Sequence, residues 1–187
     1  MPRFTKTIEL MTFDELDEQA KEKARAWFRN RPMDFESEDL TQMFKEDLQE
    51  LGYPTNDVRW SLSFSQGDGV AFYGIVHEVE KILTRLGLAD LVDFNAGVDI
   101  NIEKVGPGNY DHYNSMEVEV RLYDALGDRE AREETIAEAV EEDVERVSQQ
   151  LQKMGEDYLT DVDSDEYVDD AILANEYTFD AQGNRMN

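Results

Sequence analysis

The 187-residue sequence contains no cysteine, which excludes disulfides, zinc–thiolate centres and thiol nucleophiles together. Its two histidines, His77 and His112, stand alone, with no His-x-x-x-His or His-Glu-x-x-His spacing, so no transition-metal centre is expected. No apolar run approaches the roughly 20 residues needed to cross a bilayer. Met1 to Thr7 lacks the apolar stretch of a signal peptide. A soluble protein of the cytoplasm is therefore expected. Basic residues are also scarce, with 18 Lys and Arg against 44 Asp and Glu, a net charge of −26 and a pI near 4.2. Such a chain is repelled by nucleic-acid phosphates and by anionic lipid, so neither nucleic acid nor membrane is an expected partner.

What is present argues for a folded chain. Hydrophobic residues make up 40%, including nine Phe, eight Tyr and two Trp, enough for one domain over 1–187 with a real core. Thr12 and Glu15 form a capping box, and apolar residues Phe13, Leu16, Ala20, Ala24, Trp27 and Phe28 recur at helical spacing, predicting a helix from Thr12 to about Asn30. Met11 is placed to staple onto Leu16, and Ile8 with Leu10 reads as a short strand. A second helix follows Ser37 and stops at Gly52. Alternation at Val58, Trp60, Leu62 and Phe64, then at Val70 and Phe72, frames a hairpin turning at residues 65–69. Val79 to Leu86 reads as a third helix. Val98, Ile100 and Ile102, and Met116 to Leu122, form a second hairpin around the loop Gly106-Pro107-Gly108-Asn109. From about Asp128 a long helix carries the stripe Ile136, Val140, Val144, Val147, Leu151, Met154 and Tyr158. A short helix after Ser164 and a strand at Tyr177 to Phe179 end the chain. The expected fold is α+β: an antiparallel sheet of four or five strands built from two hairpins and an edge strand. Helices would layer mainly on one face.

Four segments carry a resemblance: IELMTFDELDEQAKEKARAWFR at 8–29, FSQGDGVAFYG at 64–74, NYDHYNSMEVEV at 109–120 and NEYTFDAQGNRM at 175–186. Together they resemble a set of small proteins encoded by tailed bacteriophages and related mobile elements, sharing the Phe-Asp-Glu-Leu helix opening and a Ser-Gln-Gly-Asp-Gly-Ala turn. Val70 stands where that pattern has Ala. The resemblance implies an origin, a phage or prophage gene expressed in a bacterial cytoplasm, and brings no biochemical activity with it.

The dominant functional signal is charge. Residues 130–170 hold sixteen Asp or Glu against three Arg or Lys, half of the chain's net charge. Like charges at i,i+4, such as Glu134 with Glu138 and Glu138 with Glu142, each cost a few tenths of a kcal/mol, a cost that interspersed lysines would avoid. A helix with acids on two sides presents a linear charge density comparable to that of duplex DNA. The leading expectation is a non-catalytic nucleic-acid mimic. It would bind a basic, nucleic-acid-binding host defence protein, such as a restriction or CRISPR effector, through Glu133, Glu134, Glu138, Glu141, Glu142, Glu145, Asp161, Asp163, Asp165 and Asp169. A second expectation is an antitoxin-like module binding through an aromatic hairpin surface of Tyr73, Tyr110 and Tyr113. A third is a small enzyme acting on a nucleotide with Gln66, Asp68, Tyr110 and His112 in one cleft. Asp161-Val162-Asp163-Ser164-Asp165 opens like a calcium loop, but Glu166 replaces the glycine and Ile172 the closing glutamate, so no metal and no cofactor is expected. The charge also leaves open a homodimer, a halophilic origin or plain colloidal solubility.

Overall fold

In chain order the regular elements are α1 (Glu18–Arg29), α2 (Asp34–Leu51), β1 (Asp57–Ser61), β2 (Gly69–Ile75), α3 (Val79–Arg85), β3 (Val98–Lys104), β4 (Met116–Leu122), α4 (Arg129–Val162), α5 (Asp165–Ala174), β5 (Thr178–Phe179) and β6 (Arg185–Met186). They are taken from a computed structural model that describes residues 9–106 and 111–186. Ile8, the loop residues Pro107, Gly108 and Asn109, and Tyr110 lie outside the described residues. The fold is α+β with the long helix near the C-terminus, as the hydropathy periods require. The chain divides into two compact units: residues up to Glu36 with those from Asp157 onward, and Ser37–Glu156.

The first unit corrects the expected start of its helix. Glu15 does accept hydrogen bonds from the Thr12 backbone N–H at 2.8 Å and the Thr12 hydroxyl at 3.0 Å. The box, however, caps only a single 3-10 turn, Phe13–Glu15, after which Leu16 is extended. The helix starts afresh behind Asp17, whose carboxylate accepts from the Ala20 N–H at 2.9 Å. Two successive capping residues compete here, and the break lets Phe13 and Leu16 both reach the core, where they are buried with Ala20, Ala24, Phe28, Val168, Ile172 and Phe179. Met11 packs its partly buried side chain against the cluster that holds Leu16, and its backbone exchanges hydrogen bonds with Phe179 at 2.8 and 2.9 Å. Trp27 meets Tyr177 and Phe179 edge-on at 5.1 and 5.9 Å between centroids, the arrangement that ring quadrupoles favour.

In the second unit four strands lie in the order β1-β2-β3-β4, each neighbour antiparallel. Two hairpins are therefore joined through β2 and β3. One sheet face holds Val70, Phe72, Ile100, Ile102, Val118, Val120 and Leu122, all buried, while Arg59, Glu119 and Arg121 on the other are exposed. Helix α4 runs obliquely across the buried face. Its course is marked by Glu133 at Leu122 N–H, Glu141 at Val118 N–H, Ser148 at the Val70 carbonyl and Gly155 against Leu62. Leu40, Phe44 and Leu48 of α2 and Ile82 and Leu83 of α3 are fully buried in the same unit.

Gly155 sits mid-helix where a Cβ would come within 2.4 Å of Leu62 Cδ1 and 2.8 Å of Phe44 Cζ. Helix propensity alone gives Gly155→Ala a gain of about 1 kcal/mol, whereas overpacking costs about 1–3 kcal/mol. We expect the clash to win and the variant to unfold at lower urea, followed by Trp60 fluorescence. A variant more stable than the parent would show that Leu62 yields and that close packing is not why glycine stands there.

Candidate functional site

The acidic excess resolves into two groups with different fates. On α4, Glu130, Glu134, Glu138, Glu141, Glu142 and Glu145 are all exposed. At 3.6 residues per turn they fall within an arc of roughly 120° and form one continuous stripe. Among the described residues, Glu134, Glu138, Glu142 and Glu145 form no ion pair. Gln149 donates to Glu145 at 2.9 Å. Of the arginines on this helix, Arg132 donates to Asp124 and to the Leu91 carbonyl, Arg146 pairs with the buried Asp143, and Arg129 lies 3.9 Å from Glu133. From residue 130 to 145 the helix rises about 23 Å, so the stripe carries about one charge per 4 Å. That is close to the 3.4 Å spacing of one DNA strand and well short of the 1.7 Å of the duplex. The charge density therefore resembles a single phosphate backbone, thinner than the duplex expected from sequence.

Glu133 and Glu141 have a second job. Strand β4 ends the sheet, so half of its backbone N–H groups face outward. Glu133 accepts from Leu122 N–H at 2.8 Å and Glu141 from Val118 N–H at 3.4 Å. Beside this edge lies a cleft of about 440 Å³, its apolar floor made by Val105, Met116, Val118 and Val144, its rim by Tyr113, Glu117, Glu141 and Glu145. Carboxylates over an apolar floor with an aromatic wall suit an arginine, which carries charge on a hydrocarbon stem and stacks on rings. Nothing in the local sequence pattern announces this cleft, because its walls come from segments roughly 25 to 40 positions apart.

The second group, in the other unit, is largely neutralised from within. Asp169 takes Arg25 in a two-pronged bond at 2.6 and 2.7 Å. Asp165 pairs with Arg29, whose guanidinium also reaches the Asp163 carbonyl at 3.0 Å and its carboxylate at 3.4 Å. The hydrogen bond from Arg29 holds the Asp165 carboxyl below the usual range. Asp163, Asp165 and Asp169 thus fasten the start of α5, which is capped by Ser164 through the Tyr167 N–H, to α1. Asp161 remains exposed. Among the described residues no group of three His, Asp or Glu side chains is placed to hold a metal ion.

The third candidate, the turn at 65–69, is a self-contained structure. Asp68 is buried and accepts from the N–H groups of Ser63 and Ser65 at 2.7 and 2.9 Å and from their hydroxyls at 3.0 and 3.2 Å. Burial works against its charge, but these four bonds win and lower its pKa. Gln66 is exposed. His112 is brought close to this turn: a Cβ on Gly69 would lie 2.9 Å from both the Asp111 carbonyl and His112 Cδ2. The imidazole accepts from Asn114 N–H through Nδ1 at 3.3 Å and stacks on Tyr113 at 4.0 Å. Tyr73 is buried, its hydroxyl bonded to Ser115 at 2.8 Å. It is part of the sheet's packing and leaves Tyr113 as the described ring at the surface of this patch. Asp68 holds the loop, and His112 serves as a 3-10 cap. Compared with protein-family models, curated proteins and solved structures, the chain matches none.

Proposed function

We propose that this protein binds the basic, nucleic-acid-binding surface of another protein by laying the exposed face of α4 where a phosphate backbone would lie. The observation that carries this reading is the uninterrupted stripe Glu134, Glu138, Glu142 and Glu145, exposed and without ion-pair partners among the described residues, while Arg132 and Arg146 of the same helix are engaged by Asp124 and Asp143. An ordinary soluble surface intersperses both signs, and like charges at i,i+4 cost this helix a few tenths of a kcal/mol per pair. The adjacent cleft rimmed by Tyr113, Glu117, Glu141 and Glu145 gives an arginine of the partner a place to enter. In the setting that the phage resemblance implies, such partners are host defence proteins acting in a bacterial cytoplasm, among them restriction and CRISPR effectors, whose cationic channels would be blocked competitively. Asp163, Asp165 and Asp169 do not take part, being engaged by Arg25 and Arg29.

The test is capture from a nuclease-treated bacterial lysate on the immobilised chain, with a duplex and a single-stranded oligonucleotide as competitors. Captured proteins are expected to be nucleic-acid binders that either competitor displaces, and their affinity to fall at least about tenfold between about 50 and about 200 mM salt. Glu134→Lys, Glu138→Lys, Glu142→Lys and Glu145→Lys combined should abolish capture without unfolding the helix, since Lys and Glu are comparable helix formers. Retention unchanged by the fourfold reversal, or indifferent to both salt and oligonucleotide, would rule the reading out and favour an aromatic interface.

A further inference from the structure

In a chain with far more acids than bases, a cation without a carboxylate is informative. Among the described residues, Lys23, Lys45 and Arg185 form no ion pair. Two of the three, Lys23 and Arg185, flank one cleft of about 480 Å³ in the first unit, lined also by Ala26, Trp27, Asn30, Gly183 and Asn184. Carboxylates are not lacking nearby. Asp180, the nearest acid on this turn, is committed to the N–H groups of Gln182 and Asn184 and to the Asn184 side chain, with Lys23 contributing only at a distance.

Arg185 is held ready. Its guanidinium lies over Trp27 at 5.0 Å and over Tyr177 at 4.9 Å, so the rings restrict the side chain beside the cleft it lines. The amide nitrogens of Asn30 and Asn184 are occupied, by the Ala26 carbonyl at 2.7 Å and by Asp180 at 2.8 Å. Their carboxamide oxygens are what remain, and oxygens accept from hydroxyls. Two cations for a dianion, two acceptors for hydroxyls, and a volume several times that of a phosphate define one ligand chemistry.

We propose that this cleft binds the phosphate ester of a small polyhydroxylated molecule, the phosphate between Lys23 and Arg185 and the hydroxyls toward Asn30 and Asn184. The site is independent of the α4 stripe and stands or falls without it. The experiment is calorimetric titration of the full chain with ribose 5-phosphate, AMP, inorganic phosphate and ribose at low salt. Ribose 5-phosphate is expected to bind saturably and more tightly than phosphate or ribose alone. AMP binding more tightly still assigns the cleft to nucleotides; equal binding assigns it to sugar phosphates. Lys23→Gln and Arg185→Gln should each weaken binding about tenfold or more, the ordinary worth of a hydrogen bond to a charged group. Lys45→Gln, which removes the third of these cations, should leave it unchanged. No heat with either ester at millimolar concentration, phosphate binding as tightly as ribose 5-phosphate, or equal weakening by Lys45→Gln would each overturn the proposal.

Discussion

Asp143→Ala is expected to remove about 1–3 kcal/mol of stability from the unit Ser37–Glu156, the usual cost of leaving a buried donor, here the Tyr53 hydroxyl, without its charged acceptor. Asp143 lies on the inward face of α4 with its side chain 4% exposed. Arg85 grips it with two bonds at 3.0 and 2.7 Å, the Tyr53 hydroxyl donates at 2.6 Å, and Arg146 adds a further bond. Burial opposes its charge, yet these donors outweigh burial and hold its pKa below the ordinary carboxylate value. Tyr53 shows the converse: burial first, then the neighbouring carboxylate, raises its phenol far above the usual value. Removing the carboxylate strands a guanidinium and a phenol in partly dry surroundings, and that penalty outweighs the lost bonds themselves. Asp143→Asn keeps the volume and part of the bonding and should cost less. Because the folded pKa lies below the unfolded one, near 3.9, the stabilisation is complete above that pH and fades as pH falls through the folded value. The gap between parent and Asp143→Ala, measured by urea denaturation on Trp60, should be full at neutral pH and narrow below about pH 4. A constant gap down to pH 2 would mean that packing, not charge, is what Asp143 supplies.

The contrast between Asp143 and Glu142 shows where sequence reading ends. As neighbours in a run of acids, the two are indistinguishable by composition. A step of about 100° around the helix turns Asp143 toward Arg85, 58 positions upstream, and leaves Glu142 in water. Period-two alternation at Val98, Ile100 and Ile102 and at Val118, Val120 and Leu122 was sufficient to place both strands, and the 3.6 period sufficed for α4, because these patterns are local. The capping box at Thr12 misled because capping chemistry fixes one turn and leaves the conformation of Leu16, just beyond it, to the core. The acidic stripe was legible as an excess of charge. Its subdivision was not: Glu133 and Glu141 reaching the β4 edge, Asp165 and Asp169 held by arginines, and Asp68 holding its own loop all depend on contacts that only the fold creates. The same holds for Lys23 and Arg185, whose significance lies in their standing together without an ion-pair partner among the described residues.

Gly183→Ala should be the most damaging single-methyl change in the first unit, costing about 2–4 kcal/mol from two additive causes. Gly183 closes the turn between β5 and β6 at φ +75°, a region in which an L side chain is strained. Its ideal Cβ would also lie 2.2 Å from the Ala20 carbonyl oxygen, 2.9 Å from its carbon and 3.0 Å from its Cα. These are backbone atoms in the first turn of α1, so no rotamer change relieves the overlap. Either the β5–β6 turn lifts off α1, or α1 shifts away from Phe179 and Ile172, whose burial completes this core. Both routes expose the ring cluster around Trp27. The variant is therefore expected to unfold at lower temperature with a red-shifted Trp27 emission, read in a Trp60→Phe background so that the second unit is silent. Loosening of the same turn should also displace Asn184 and Arg185, so the variant should bind ribose 5-phosphate more weakly even where it remains folded. Parent-like stability and emission would show that the close approach of Gly183 to Ala20 is not required, and would remove the reason for glycine at the end of this turn.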